Sequence, residues 1–368
     1  MKTKVAIRKC KSYSLEQVKK TILLMLNDLG GLQTLVKKQD SVLLKPNLLT
    51  SKKPEKAVTT HPIIVEAVIL ILKEYGIKKI GLGDSPALES TEKVLKVSGI
   101  EDVCKKHEIQ ILTFRESTKI VNKDNKIVKE FNIAKEFFEF DKIINLPKMK
   151  THSFTVFTGA TKNIFGFISG KSKMLFHMKH KHPIEFSDML LDLNNIVKPE
   201  LNIMDGITGM EGNGPNGGDP RNFGILLASK SNIALDTCMS KIMNINRSPL
   251  SIAAKKRNYK DSEIKNIEVL GDKISNLIQK NVVLPKTGIL FGTRNFLGNL
   301  RKITAKKPIL ISEKCISCRK CEDICPADAI KINEKPLFDY KKCIRCYCCH
   351  EVCPVNAIDL KRNLNFFE

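Results

Sequence analysis

The segment CIRCYCCHEVCP, residues 343–354, places five cysteines within twelve positions. It belongs to a repeat, because residues 308–332 (PILISEKCISCRKCEDICPADAIKI) and 336–360 (PLFDYKKCIRCYCCHEVCPVNAIDL) align at a constant offset of 28. Each copy contains the pattern C-x2-C-x2-C-x3-C-P. Cys348 has no counterpart, because Lys320 occupies its position in the first copy. The duplication therefore groups eight cysteines together and sets Cys348 apart.

This cysteine spacing is typical of [4Fe–4S] ligands, in which three thiolates bind one cluster and the fourth, followed by proline, binds the other. The spacing predicts two clusters with crossed ligand sets, Cys315, Cys318, Cys321 and Cys353 for one and Cys343, Cys346, Cys349 and Cys325 for the other. A pair of four-cysteine zinc sites is the alternative. Zinc sites usually pair C-x2-C units across a longer loop and need neither the third regularly spaced cysteine nor the proline.

Residues 308–360 resemble the bacterial two-[4Fe–4S] ferredoxin family, with every ligand position present. The resemblance implies a small α+β domain that depends on its two [4Fe–4S] clusters for folding. Nine of the twelve cysteines lie within 39 residues, which indicates metal binding rather than disulfides. We therefore expect a ferredoxin-type domain over residues 301–368.

Composition narrows the class of protein further. The 368-residue chain has a formal net charge of +23, which reflects general lysine richness or an anionic partner. It has no tryptophan and 6% aromatic residues, so stacking platforms are scarce and we do not expect nucleic acid as a partner. No apolar run is long enough to cross a membrane, and the N-terminus lacks a signal-peptide pattern. We expect a cytoplasmic protein without membrane contact.

The chain upstream of residue 301 alternates strand-like and helix-like segments. Apolar runs such as SVLL (residues 41–44) and KIINL (residues 142–146) end in loops rich in lysine, asparagine or histidine. Alternation of this kind predicts an α/β domain over residues 1–300, with a mostly parallel sheet flanked by helices. Ligands of such sheets bind beyond the carboxyl ends of the strands.

Residues 142–184 contain eight lysines and four histidines but no aspartate or glutamate. We interpret Lys148, Lys150, His152 and Lys162 as candidate anion-binding residues, and a solvated basic face remains the alternative. The three histidines of HMKHKHP, His177, His180 and His182, have a spacing that would suit a metal. The lysines between them would repel a cation, so an exposed basic loop is the favoured interpretation.

Residues 205–221 (DGITGMEGNGPNGGDPR) are rich in glycine and predict a loop at the end of a buried strand. The pattern G-x-G-x-x-G occurs within it but does not open a helix, so we reject a dinucleotide site. Asp205 and Glu211 are candidates for acid–base chemistry or for binding a cation.

Five motifs occur in a characteristic order, namely Lys45-Pro46-Asn47, His61-Pro62, Gly83-Asp84-Ser85, NLPKMKTH…TGATKNIFG and DGITGMEGNGP…GDPR. On these motifs, residues 1–300 resemble the domain-of-unknown-function 362 (DUF362) family. The resemblance implies the architecture and iron–sulfur binding, since many members carry a two-cluster ferredoxin module behind this domain. It implies no reaction.

We therefore expect an iron–sulfur protein that moves low-potential electrons between a donor or acceptor protein and an anionic substrate or cofactor bound at the α/β domain. A ferredoxin-linked oxidoreductase of unspecified substrate would fit this expectation. The alternative is a ferredoxin-like electron carrier or scaffold that docks a partner oxidoreductase and does no chemistry itself.

Overall fold

The computed structural model describes residues 2–86, 88–287 and 305–361. The predicted domain boundary between residues 300 and 301 lies outside these ranges. The strands are β1 Thr3–Lys9, β2 Val42–Pro46, β3 Ile80–Gly83, β4 Gln110–Leu112, β5 Ser117–Val121, β6 Glu130–Ala134, β7 Lys142–Leu146, β8 Lys148–His152, β9 Val156–Thr158, β10 Leu201–Glu211, β11 Asp219–Ser229, β12 Ile267–Gly271, β13 Lys307–Leu310, β14 Ile330–Ile332, β15 Pro336–Phe338 and β16 Ile358–Lys361.

The helices are α1 Leu15–Asp28, α2 Pro62–Tyr75, α3 Thr91–Ser98, α4 Ile100–Lys106, α5 Ala160–Asn163, α6 Gly170–Lys179, α7 Pro183–Ile196, α8 Asn232–Ile242, α9 Pro249–Lys256, α10 Lys320–Asp323 and α11 Cys348–Val352. Their ends follow the local sequence. Ser14 caps α1 by accepting a hydrogen bond from the Gln17 N–H, and α2 has Pro62 in its first turn and ends at Gly76 in a left-handed conformation. No helix among the described residues is long and apolar enough to cross a membrane.

One large sheet has the order β12-β1-β11-β10-β7-β2-β3-β4, with β8 and β9 attached beside β10. Its pairs are parallel except for β1–β11, β10–β11 and β8–β9. Strand β2 is buried along its whole length, as expected for a parallel strand with helices on both faces. The predicted α/β fold with a mostly parallel sheet is therefore confirmed.

The glycine-rich segment differs from its predicted form. Residues 205–211 continue β10 and residues 219–221 begin β11, so only residues 212–218 form the turn of a long antiparallel hairpin. The prediction of a loop over residues 205–221 was wrong because backbone pairing between the two strands outweighs the low strand propensity of glycine.

The two cysteine-rich copies repeat their backbone as well as their sequence. In each copy three non-glycine residues adopt a left-handed conformation at the same offset of 28, which are Ser317, Arg319 and Asp328 in the first and Arg345, Tyr347 and Asn356 in the second. Antiparallel pairs β13–β16 and β14–β15 close this small α+β half. Because β13 begins the first copy and β16 ends the second, their pairing holds the two copies together as one unit.

Candidate functional site

The eight repeated cysteines form two groups. Burial raises the pKa of Cys321 to about 11, and the neighbouring thiols of Cys318 and Cys353 add to the increase. Burial likewise raises the pKa of Cys325, with contributions from Cys346 and Cys343. The fold thus brings the fourth cysteine of each copy beside cysteines of the other copy, an arrangement that fits crossed cluster ligation.

Backbone N–H groups point at several of these sulfur atoms. The Ala329 N–H lies 3.3 Å from the sulfur of Cys325, and the Ala357 N–H lies 3.1 Å from that of Cys353, again at an offset of 28. Such donors stabilise a thiolate. Within residues 2–86, 88–287 and 305–361, no three metal-ligating side chains converge on one point. A four-iron cube does not need such convergence, since each thiolate binds a different iron.

A cavity of about 110 Å³ separates the ends of the parallel strands from helix α11 of the cysteine-rich half. Its walls come from both halves. The polar groups from the sheet side include Asn47, Asp84, Lys162, Lys173 and His177, and the other side supplies Lys320, Cys348 and Glu351. Met174 of α6 packs against Cys346 and Cys348, so the cavity lies next to the second group of thiols.

Lys45 and Asp84, at the ends of the adjacent strands β2 and β3, form a buried ion pair with a distance of 2.8 Å. The Leu48 and Ser85 N–H groups also donate to the Asp84 carboxylate. Gly166 lies directly above this pair, where an added Cβ would overlap both partners. The pair therefore neutralises itself and forms the floor of the cavity.

Lys162 and Lys173 differ from Lys45 because neither forms an ion pair with a carboxylate in the described part of the chain. Burial lowers the pKa of Lys162, opposed by Glu351 and Cys348. Burial also lowers the pKa of Lys173 to about 7, and its amino group donates to the carbonyl oxygen of Ser85. Three carboxylates line the cavity, and Asp84 is paired with Lys45 and Glu89 with Lys320. Lys162 and Lys173 are thus left without an ion pair among the described residues, with Glu351 as the one further carboxylate of the lining, and this favours an anionic ligand.

Glu351 faces the cavity from the cysteine-rich half. Its Oε1 atom lies 3.5 Å from Nε2 of His152, a fully buried residue of β8. Nδ1 of His152 accepts a hydrogen bond from the Phe154 N–H, so the neutral ring carries its proton on Nε2, facing Glu351. Burial raises the pKa of Glu351 to about 7, opposed by Lys162 and Lys150. His152 and Glu351 therefore face each other across the contact of the two halves behind the cavity, and neither facing atom has another hydrogen-bond partner among the described residues.

Lys148 and Asp205, both predicted site residues, contact each other instead of the cavity. Lys148 Nζ lies 2.6 Å from Asp205 Oδ2, and neither side chain is exposed. The carboxylate also accepts hydrogen bonds from the Tyr13 hydroxyl and the His61 N–H. Each charge is thus satisfied within the protein core, which gives the pair a structural role.

Lys150 is also buried and donates to the Val58 carbonyl oxygen at 2.7 Å. Glu211 pairs with Arg221 at 2.8 Å on the hairpin and accepts a hydrogen bond from the Val283 N–H. Of the four lysine and histidine residues predicted to bind an anion, only Lys162 lines the cavity. The structure places Asp205 and Glu211 apart, and neither of them lines the cavity.

The interpretation of HMKHKHP as an exposed basic loop is wrong for His177, which lies on α6, whereas His180 and His182 lie half-buried in the short connection between α6 and α7. His177 is buried on α6 and stacks on Phe186 at 4.4 Å. His182 caps α7 by accepting from the Ile184 N–H, and His180 stacks on Phe176. The position of His177 on α6 turns its ring towards the core, and the rings of His180 and His182 follow after the helix has ended.

The glycine-rich turn contacts the cysteine-rich half. Asn216 donates to the Cys353 carbonyl oxygen at 3.2 Å, and the Asn213 carbonyl oxygen lies 3.3 Å from Nε2 of His350. Lys52 and Lys320 add bonds to Pro354 and Glu89. The turn therefore serves to dock the two halves, a role that the sequence did not reveal.

Sequence reasoning missed Lys173, Cys348, Glu351 and His177 as cavity residues. The signal for Lys173 was its place in the acid-free segment 142–184. The signal for Cys348 was its lack of a counterpart in the repeat. For Glu351 no signal was present, because its position depends on how the two halves dock.

Comparison with known proteins places this chain in a family. Residues 42–241 match the family described as "Domain of unknown function (DUF362)", and residues 314–362 match the 4Fe–4S dicluster domain. A thylakoid-associated protein of Synechocystis sp. is 36% identical over 255 residues, which cover 69% of this chain and 78% of that protein.

Solved structures give more distant similarities. The lactate racemase apoprotein of Thermoanaerobacterium thermosaccharolyticum aligns with a TM-score of 0.45 and 14% identity, over 66% of this chain and 58% of that one. A Thermotoga maritima protein aligns with a TM-score of 0.38 and 15% identity, over 55% and 52%. The chain spans less than two thirds of either structure. On the family matches, the chain belongs to the DUF362 family and carries an iron–sulfur domain of the 4Fe–4S dicluster type.

Proposed function

We propose that this protein holds two [4Fe–4S] clusters and moves low-potential electrons between a partner protein and a small anion bound in the cavity. Cys315, Cys318, Cys321 and Cys353 bind what we call the outer cluster, and Cys325, Cys343, Cys346 and Cys349 bind the inner cluster. Two units underlie this function, an α/β domain over residues 1–300 and a ferredoxin-type domain over residues 301–368.

The solvent exposure of the cysteine ligands indicates which cluster lies nearer the partner protein and which lies nearer the cavity. Cys318 is exposed, and the adjacent Ile316 is 61% exposed, so the outer cluster faces solvent and a docking protein. Each group has two buried cysteines, but the inner group has no exposed ligand, and Cys348, between its ligands Cys346 and Cys349, reaches the cavity. Electrons therefore pass between partner and outer cluster, then between the two clusters, then between the inner cluster and the cavity.

The observation that carries the proposal is that one cavity has Lys162 on its sheet side and Cys348 and Glu351 on its cluster side. An anion held by Lys162 lies beside the inner cluster without a diffusional encounter. When bound, the two clusters would supply the electron transfer. The protein's own residues bind the anion, exclude water and, through Glu351 and His152, hold protons next to it.

The test uses anaerobically purified protein. We expect about eight iron and eight sulfide per chain, from two four-iron clusters. Calorimetry should show that the wild type binds acetate and that the affinity for acetate is at least tenfold lower in Lys162→Met. The reason is that a charge-assisted contact contributes about 1.5–3 kcal/mol to binding. Lys179→Met, an exposed substitution on α6, is the matched control. Colourless protein with two zinc ions would contradict the proposal. An acetate affinity that is the same in Lys162→Met as in the wild type would also contradict it.

A second candidate is an electron carrier or scaffold whose α/β domain does no chemistry. The exposed apolar side chains Ile316 and Leu337, each 61% exposed on the ferredoxin-type half, favour a docking protein in either case. This candidate predicts an oxidoreductase partner bound through that surface and no small-anion binding at Lys162. The acetate measurement separates the two.

A further inference from the structure

Lys173 is, with Lys162, one of two cavity lysines that form no ion pair among the described residues, and its surroundings differ from those of a lysine that only supplies charge. It extends from α6 into the cavity and donates one hydrogen bond to the Ser85 carbonyl oxygen. A carbonyl oxygen occupies one N–H of the amine and leaves the nitrogen lone pair available when the amine is neutral. No carboxylate among residues 2–86, 88–287 and 305–361 pairs with it.

Lys45, on the floor of the same cavity, provides the contrast. Its amino group is fixed 2.8 Å from the Asp84 carboxylate and is fully buried, so it stays in its pair. Lys173 lies near the cations Lys45 and Lys162. Burial lowers the pKa of Lys173 and the Asp84 carboxylate opposes this, while Lys45 and Lys162 add to the lowering, so that the pKa is about 7. Lys173 is half-buried, and a lysine partly withdrawn from water beside other cations is in the kind of environment in which lysines form imines with carbonyl compounds.

We propose, building on the function proposed above, that the anion of this cavity is a small 2-oxo acid, with its carboxylate on Lys162 and its keto carbon on the Lys173 amine. The cavity volume of about 110 Å³ is enough for roughly seven to eleven water-sized groups, which suits an acid of three to five carbons.

The covalent step is balanced without any oxidant or reductant. The lone pair of neutral Lys173 attacks the keto carbon, the C=O π electrons move to oxygen, and the N–C bond forms. The carbinolamine then loses its hydroxyl and one nitrogen proton as water, which leaves a C=N bond. Addition of water reverses both steps and releases the acid.

Two polar atoms in the cavity without hydrogen-bond partners could bond to the oxygen atoms of this ligand. Nδ1 of His177 is buried, and this residue is only 6% exposed. It has no hydrogen-bond partner in the described structure, and the same holds for Oδ1 of Asn47. Both residues line the cavity. They offer contacts to the carbinolamine hydroxyl and to the departing water.

The test is trapping of the imine in the anaerobic holoprotein with pyruvate and sodium cyanoborohydride, followed by peptide mass spectrometry. We expect one predominant adduct, on Lys173, that acetate suppresses by competing for Lys162. Lys173→Arg should lower the adduct yield at least tenfold, and Lys179→Arg, an exposed change on the same helix, should leave it unchanged.

Labelling spread over surface lysines, or an equal yield in Lys173→Arg, would overturn the inference. Acetate binding by calorimetry keeps the two proposals distinguishable, because Lys173→Arg retains a cation in the cavity. If acetate binds through Lys162 but pyruvate leaves no adduct on Lys173, the 2-oxo acid inference fails and the proposed function stands. If neither binds, both fail.

Discussion

Lys148 and Lys162 lie in the same acid-free segment, yet the structure predicts opposite consequences of removing them. Lys148→Met leaves the Asp205 carboxylate, which is 0% exposed, without the ammonium that lies 2.6 Å from it. The hydrogen bonds from Tyr13 and His61 remain. Breaking a buried pair from one side costs about 3–5 kcal/mol of unfolding free energy.

Lys162→Met should act differently. Lys162 has no ion-pair partner in the described ranges, so its loss breaks no ion pair. The carboxyl group that it acts on is Glu351, whose pKa burial raises to about 7, so that group can take up a proton when Lys162 is removed. We expect the unfolding free energy to stay within about 1 kcal/mol of wild type. Acetate affinity, by contrast, should fall at least tenfold because the cavity loses a charge-assisted contact.

The assay is thermal unfolding followed by far-ultraviolet circular dichroism under anaerobic conditions, with calorimetry of acetate binding on the same samples. A cost of about 3–5 kcal/mol lowers the apparent Tm by roughly 4–6 °C in Lys148→Met, at an unfolding entropy of about 2.1 cal/mol/K per residue. Lys148→Met/Asp205→Asn should recover part of this loss, since the unpaired charge is removed. The reasoning is refuted if Lys148→Met is as stable as wild type, or if Lys162→Met loses as much stability.

Three further predictions concern the clusters, the cavity floor and the pH dependence of stability. Cys348→Ser should keep about eight iron per chain, whereas Cys346→Ser should lose about four, as iron analysis would show. Gly166→Ala should lower both the apparent Tm and acetate affinity, because its Cβ would overlap Asp84 and displace its ion pair. Burial raises the pKa of Asp236 from 3.8 to about 6, so its contribution to stability is present below pH 4 and lost as pH rises through 6. In the wild type this group should lower the unfolding free energy by about 3 kcal/mol as the pH rises from 4 to 7. Denaturant unfolding should show that Asp236→Asn lacks this decrease.

Much of the fold follows from local sequence patterns. The repeat offset of 28 fixed the equivalence of the eight cysteines, and the same offset recurs in the left-handed residues such as Ser317 and Arg345. Apolar strands followed by polar loops predicted the parallel sheet and the edge where the cavity lies. The cysteine repeat and the alternation of strands and loops are both local patterns of nearby residues. Both can therefore be recognised in a single sequence.

The remaining features depend on distant contacts. Lys148 meets Asp205 across 57 positions, through the pairing of β8 with β10, and no pattern near either residue reveals that they neutralise each other. Glu351 reaches His152 only because the two halves dock through the glycine-rich turn. Composition alone identified the basic segment correctly, but it could not separate paired lysines from the unpaired Lys162.

The most direct test of the central claim is an anaerobic redox titration of the inner cluster with and without acetate at constant ionic strength. An anion about 10 Å from the cluster, at an effective dielectric constant near 20, lowers the midpoint potential by tens of millivolts. We predict such a shift in the wild type and its loss in Lys162→Met. An unchanged potential in the wild type, or an equal shift in the variant, would contradict a ligand site beside the inner cluster.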